Sequence, residues 1–158
     1  MKELLTATLI LLGLACKAFG GDLVPTDPKT PLFVVYDFHF DASPENAPPN
    51  TCRGEAGKPL LTVFSLYDLL VKTNDTGVKA VLNEKDTITF ARLTHKHPFL
   101  LLRAADSSGV IMRIRGPIED GVIPFDKANY SDGVARYLRH RYRIGHSSNS
   151  IEHSPEAL

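Results

Sequence analysis

Cysteine is scarce in this chain, which has only Cys16 and Cys52 among 158 residues. Cys16 belongs to an apolar N-terminal run, so removal of that run as a leader leaves Cys52 as the one remaining thiol. A lone thiol cannot form an internal disulfide, which excludes the disulfide-stapled class of small exported proteins. The fold must therefore be held by packing, and the chain is long enough to bury a core.

The sequence also lacks any excess of charge of one sign. It has 18 basic and 18 acidic side chains, a pI near 7.0 and 43% hydrophobic residues. These values are typical of one ordinary globular domain. A chain with balanced charges lacks the broad positive field that nucleic-acid binding needs, so no nucleic-acid partner is predicted.

Local catalytic motifs are missing as well. The chain has no G-x-S-x-G elbow, no phosphate-binding loop and no dinucleotide fingerprint, and Cys52 stands in no recognisable protease context. We therefore expect a protein that is not an enzyme and that needs no cofactor.

The N-terminus has the layout of a secretory signal peptide. Lys2 precedes a mostly apolar run from Leu4 to Cys16, and the small residues Ala18 and Gly20 follow. This run is shorter than the roughly 20 residues that cross a bilayer as a helix. We expect residues 1–20 to be removed, no later segment to span a membrane, and the protein to reach the periplasm or cell envelope.

A second interpretation of the same segment is a lipid anchor. Leu14, Ala15 and Cys16 partly resemble the lipobox of bacterial lipoproteins, with Cys16 as the lipid-bearing residue, although Gly13 departs from that pattern. The mature chain would then begin at Cys16 instead of Gly21.

Alternation of apolar and polar residues, together with turn-forming residues, divides the rest of the chain into segments. Residues 21–59 are predicted to hold one strand, at 31–40, and a long surface loop at 41–59 rich in Pro, Asn and Gly. Residues 60–144 form the main domain, in which 60–73 fits either a strand or a helix. Residues 145–158 have neither periodicity nor apolar mass, which predicts a disordered tail.

Within the main domain, short strands are predicted at 77–82, at 99–104 paired with 110–115 as a hairpin, and at 122–125, where Pro124 favours a sheet edge. Two amphipathic helices are predicted, each beginning at an asparagine followed three residues later by an aspartate: Asn83 with Asp86, and Asn129 with Asp132. The fold class is therefore α+β, with the helices covering a single, mostly antiparallel sheet.

Histidines are the first candidates for chemistry. His97 precedes Pro98, so the first helix must end by about Lys96. Residues two apart on a helix point in nearly opposite directions, so His95 and His97 cannot share a metal there, and no metal site is predicted. A rival site on the first strand combines His39 with Asp37 and Asp41, as a small periplasmic enzyme or ligand carrier would use them.

The last helix carries a second candidate. Its apolar face comprises Val134, Tyr137, Leu138 and Tyr142, and its opposite face comprises Arg136, Arg139, His140 and Arg143. Arg141 breaks this pattern. The basic face is either a solvated surface or a patch for acidic partners.

The order of these elements resembles the head subdomain of the first periplasmic domain of SecD, the bacterial protein-export membrane protein. The similarity spans roughly residues 60–143 and is carried by the following segments: Val81-Leu82-Asn83, Phe90-Ala91-Arg92-Leu93-Thr94, the strand at 99–104, Gly109-Val110-Ile111, Pro117-Ile118 with Gly121, and the helix from Asn129.

This resemblance implies an α+β unit that contacts preproteins emerging from the translocon. Proton-coupled transport by SecD needs transmembrane helices, which are not predicted here, so that activity is not implied. The chain also departs from the family at residues 95–98, where a glycine-containing turn is usual. We expect an exported protein-binding or peptide-binding domain whose partners include unfolded exported chains, with Val122 and Ile123 on an exposed sheet edge and Arg136, Arg139 and Arg143 as partner contacts.

Overall fold

A computed structural model describes residues 23–42, 49, 52–71 and 77–144 of the chain. The predicted leader, Cys16 and the tail at 145–158 lie outside these residues. The strands are β1 (Phe33–Phe40), β2 (Gly54–Val63), β3 (Leu66–Val71), β4 (Val78–Leu82), β5 (Phe99–Ala104), β6 (Gly109–Arg113) and β7 (Val122–Phe125), and the helices are α1 (Glu84–Lys96) and α2 (Asp132–Arg141).

The strands form two antiparallel sheets, which confirms the predicted α+β class. One sheet has the order β2-β1-β5-β6 and the other has the order β3-β4-β7. The prediction of a single sheet is therefore wrong. Only two residues separate β2 from β3, and the buried Val63 and Leu66 flank them. The chain thus passes from one sheet to the other within a tight corner while keeping both flanking side chains in the same core.

The predicted surface loop at 41–59 is wrong from Gly54 onward, because β2 begins there. Gly54 allows β2 to approach β1 closely, because a Cβ at this position would lie only 2.3 Å from the carbonyl oxygen of His39. Register shifts opposite Tyr36 show that β2 carries bulges against β1. The predicted boundary at residue 60 falls inside β2, and β1 lies between β2 and β5 in the same sheet.

Helix α1 begins and ends where the sequence predicts. The Asn83 side chain accepts a hydrogen bond from the Asp86 backbone N–H at 2.9 Å. His97 leaves the helical region at φ −116° and ψ 120°, as a residue before proline must. Phe90 is fully buried, so the side of α1 that carries it packs against the core.

Helix α2 begins two residues later than predicted, at Asp132, so Asn129 is not its N-cap. The Asp126 carboxylate accepts the Asn129 backbone N–H at 2.9 Å, and the Ser131 hydroxyl accepts the Asp126 N–H at 2.9 Å. Tyr130 has φ +57°, which no helix permits. Local hydrogen bonds therefore turn residues 126–131 into a compact loop before the helix starts.

The β5–β6 hairpin is confirmed, with Leu102 opposite Val110. Both of these side chains belong to the core, together with Phe33, Phe90, Phe125 and Leu138. Neither described helix has the length and apolar character needed to cross a bilayer.

Candidate functional site

A groove of about 390 Å³ lies between β6 and the loop that joins β7 to α2. Its described lining comprises Pro49, Val110, Ile111, Met112, Arg113, Arg115, Pro124, Ala128, Asn129, Tyr130 and Ser131. Apolar side chains and two arginines are present, and no acidic residue is among these lining residues. A volume in this range accommodates a few side chains of a partner.

Tyr130 is the one aromatic residue among the described lining residues of the groove, and it is 63% exposed. Its left-handed backbone is unfavourable for a bulky side chain and must be maintained by the surrounding structure. Hydrogen bonds from Tyr130 N–H to the Lys127 carbonyl at 3.1 Å and from Ser131 N–H to the Asp126 carbonyl at 2.9 Å provide that support. The loop therefore keeps the Tyr130 ring at the groove, although the backbone of Tyr130 is strained in this position.

Strand β7 is an edge strand, as Pro124 predicts, but its free edge offers no unbonded N–H at Val122 or Pro124 to an added strand. Leu82 N–H donates to the Gly121 carbonyl at 3.0 Å, which makes these two residues a hydrogen-bonded pair of β4 and β7. By alternation, Val122 and Pro124 direct their main-chain groups away from β4. The Val122 N–H already donates to Asp120 Oδ1 at 3.0 Å, and proline has no N–H.

Ile123, the second residue proposed for strand addition, is fully buried in the core. It cannot contact a partner without opening the fold. The geometry therefore disfavours strand addition at Val122 and Ile123, and a partner of this region would bind through side chains of the groove.

The basic face predicted for α2 is smaller than expected. Arg136 and Arg143 are exposed, whereas Arg139 is only 8% exposed and Arg141 only 7%. The expectation that Arg139 lies on the exposed face is wrong, because α2 packs against β5, β6 and β7 over more than one apolar stripe. Arg136 lies 3.9 Å from Asp132, an exposed pair that contributes little to stability.

Asp37 on β1 joins two histidines from different parts of the sequence. Asp37 Oδ1 lies 3.0 Å from His97 Nδ1, and Asp37 Oδ2 lies 2.9 Å from His39 Nε2. An ionised carboxylate only accepts hydrogen bonds, so each of these contacts is a hydrogen bond in the histidine tautomer that is protonated at the facing nitrogen. When neutral, each imidazole then has its other nitrogen available as an acceptor.

The surroundings of this cluster are partly open. The His39 side chain is 70% exposed, and the Asp37 side chain 23%. On β2, a Cβ added to Gly57 would lie 3.2 Å from Asp37 Cβ, so glycine allows the strands to approach here. Among the described residues, no group of three or more His, Cys, Asp or Glu side chains has the spacing of a metal site.

The sequence did not predict the contact between Asp37 and His97. It arises because β1 pairs with β5, which places Asp37 opposite Leu100, three residues after His97. The proline after His97 marks a helix end, yet no local signal indicates which strand that end meets. His95 is exposed at the end of α1, where it complements the helix dipole.

No family model, no curated protein and no solved structure matches this chain. The groove, the histidine cluster and the pattern of the sequence are therefore the features that bear on its function.

Proposed function

We propose that this chain is an exported, non-catalytic domain that binds extended segments of other proteins in the groove beside Tyr130, as an accessory to protein export in the cell envelope. The SecD-head pattern of the sequence supports the class, by analogy of element order. The single observation that carries the proposal is an exposed tyrosine held in a strained conformation at an apolar groove that also contains arginines.

The composition of the groove defines the chemistry of its partner. Tyrosine and arginine are enriched where protein interfaces gain most of their binding energy. Met112 and Pro124 offer apolar contact, and Arg115 is an exposed cation at the same groove. The matching ligand is a peptide segment that combines an apolar side chain with a nearby carboxylate.

The test measures binding of a panel of unstructured peptides that vary in apolar and acidic content, by fluorescence anisotropy. Tyr130→Gly removes the ring, and glycine adopts the left-handed backbone without strain, so the fold should be retained or stabilised. We expect about a tenfold loss of affinity for this variant. Thermal unfolding of the same variant shows whether the loss is one of binding or of folding.

The role of positive charge at the groove is tested with matched variants of two arginines. Arg115→Glu should weaken binding of acidic peptides more than binding of neutral ones, because it places like charges together. Arg136→Glu is the control, since Arg136 is exposed on α2 and does not line the groove. Equal effects of the two variants, or no binding by any acidic apolar peptide, would reject the groove as the site.

The histidine cluster supports a second candidate function, that of a small enzyme or ligand carrier. His97 is held by Asp37 through Nδ1, which orients Nε2 as an acceptor for a ligand proton. Imidazole NMR signals recorded against a panel of small polar compounds would test this role. Saturable shifts of the His97 and His39 signals would favour it, and their constancy across the panel would dismiss it.

A further inference from the structure

Exposed apolar side chains concentrate at one edge of the three-stranded sheet. Six large hydrophobic residues are exposed among the described residues, and four of them lie on the N-terminal segment, the β2–β3 corner and β3. These four, which we call the β3 patch, are Val24 (73% exposed), Phe64 (45%), Tyr67 (50%) and Leu70 (48%). An isolated bridge between Leu23 and Leu66 brings the N-terminal segment beside β3.

The patch is apolar on the side of β3 that faces away from the core. Leu66 and Leu69 are buried, whereas Tyr67 and Leu70 are exposed, so this short strand carries apolar residues on both sides. Leu70 pairs across the sheet with the exposed Lys79, which places a positive charge next to the patch. The half-buried Asp68 lies on the same strand, and its carboxylate accepts the Leu69 N–H. An exposed apolar cluster of this kind marks an interaction surface more often than a bare solvent face.

The main chain at this edge offers little to a partner strand. Leu66 N–H donates to the Tyr142 hydroxyl at 3.1 Å, and the Leu66 carbonyl accepts the Leu23 N–H at 2.7 Å. Leu69 N–H donates to Asp68 Oδ1 at 2.7 Å. A second copy of the chain adding a strand here would find these groups already bonded. An occupant that binds through the apolar side chains of the patch needs none of these main-chain groups.

We propose that the β3 patch contacts the surface of an anionic lipid bilayer. Tyrosine and phenylalanine bury an apolar ring in the interfacial region, and tyrosine keeps its hydroxyl in water. Lysine adds attraction to anionic headgroups. The β3 patch is a different surface from the peptide groove and binds a different ligand, so the two sites are tested independently.

The course of the chain agrees with this occupant. Leu23 lies at the patch, and in the sequence six residues, 17–22, separate it from the apolar run that ends at Cys16. Leu23 and Cys16 are seven positions apart, so the extended chain between them spans at most about 25 Å. If the lipid-anchor interpretation of Cys16 holds, the patch would be tethered within that distance of the bilayer.

A single-tryptophan reporter tests the contact, because the natural chain contains no tryptophan. Tyr67→Trp replaces an exposed aromatic residue of the patch. Ile88→Trp is the control on α1, because Ile88 is 48% exposed, as is Leu70 of the patch. Both are made in the full chain and recovered after export, then mixed with phosphatidylglycerol vesicles that carry brominated acyl chains. We expect a blue shift and quenching for Tyr67→Trp and little change for Ile88→Trp.

Binding strength gives the second measurement. The double variant Tyr67→Ser, Leu70→Ser should lose about tenfold in partitioning to anionic vesicles, whereas Ile88→Ser should match the wild type. Lys79→Gln should weaken binding to anionic vesicles and leave binding to phosphatidylcholine vesicles unchanged. Unchanged Tyr67→Trp emission, or equal quenching of both reporters, would overturn the proposal.

Discussion

The Arg141 guanidinium donates a hydrogen bond to the main-chain carbonyl of Thr30 at 3.1 Å, across 111 residues of sequence. The same group also bonds the Asp27 carbonyl and the Tyr137 hydroxyl, and the Arg141 carbonyl accepts the Thr26 N–H at 2.9 Å. Arg141 is the one basic residue that broke the two-faced pattern of the last helix. It fastens the segment before β1 onto α2.

Replacing Arg141 by Met should destabilise the fold by about 1–3 kcal/mol, because partly buried carbonyls of the N-terminal segment lose a charged donor. Chemical denaturation followed by circular dichroism measures this change. The control is Arg136→Met, which alters an exposed residue of the same helix and should cost less than about 0.5 kcal/mol. Comparable losses for the two variants would contradict the anchoring role of Arg141.

Asp27 should make stability depend on pH in the acid range. The Thr30 hydroxyl, then the Lys29 N–H and, to a smaller extent, Arg141 stabilise its carboxylate and hold the pKa below its ordinary value of 3.8. A lowered pKa adds stability above the unfolded value and loses that stability as the pH falls through the folded value. The free energy of unfolding of wild type should therefore exceed that of Asp27→Asn near neutral pH.

Titrating both proteins by urea denaturation from pH 7 downward measures this difference. The gap should persist down to about pH 4 and then narrow as Asp27 takes up its proton. A constant gap over the whole range would show that the carboxylate charge is irrelevant.

The contact between His97 and Asp37 should stabilise the junction of α1 with β1. His97→Leu removes the Nδ1 donor and is expected to cost about 1 kcal/mol in unfolding free energy. His97→Asn places an amide N–H near the position of Nδ1 and should recover part of this loss. His95→Leu, at the exposed neighbouring turn, serves as control, and a similar cost there would mean that the contact with Asp37 contributes nothing.

The two predicted helix starts should respond differently to alanine. Asn83→Ala removes a true N-cap and should cost about 1 kcal/mol. Asn129→Ala should cost much less, because only its backbone N–H is seen bonded in the loop before α2. Thermal unfolding of the two variants under identical conditions makes the comparison, and equal losses would return Asn129 to the role of a cap.

Sequence reasoning succeeded where the decisive physics is local. The side chain of Asn83 reaches a backbone N–H three residues ahead, and Pro98 restricts the residue directly before it, so both ends of α1 could be predicted. It failed at Asn129, which shows the same spacing to an aspartate. There Asp126 and Ser131 form competing hydrogen bonds.

The candidate sites were less predictable than the elements. The groove combines residues near 49, 110–115 and 124–131, and the histidine cluster combines β1 with the end of α1. Neither set is close in sequence. Arg139 shows the same limit on one helix, since the periodicity of α2 indicates an apolar face but not how far the surrounding strands extend around it.

The sequence by itself determined the α+β class, the order of strands and helices from residue 77, and the identity of core residues such as Val134 and Leu138, because periodicity and capping are properties of neighbouring residues. Only the tertiary structure decided that the strands divide into two sheets and that Asp37 meets His97. It also decided that, at the two edges of the smaller sheet, the N–H groups of Leu66, Leu69 and Val122 are bonded to side chains. Those outcomes depend on which strands pair, and pairing is settled by the packing of the whole core.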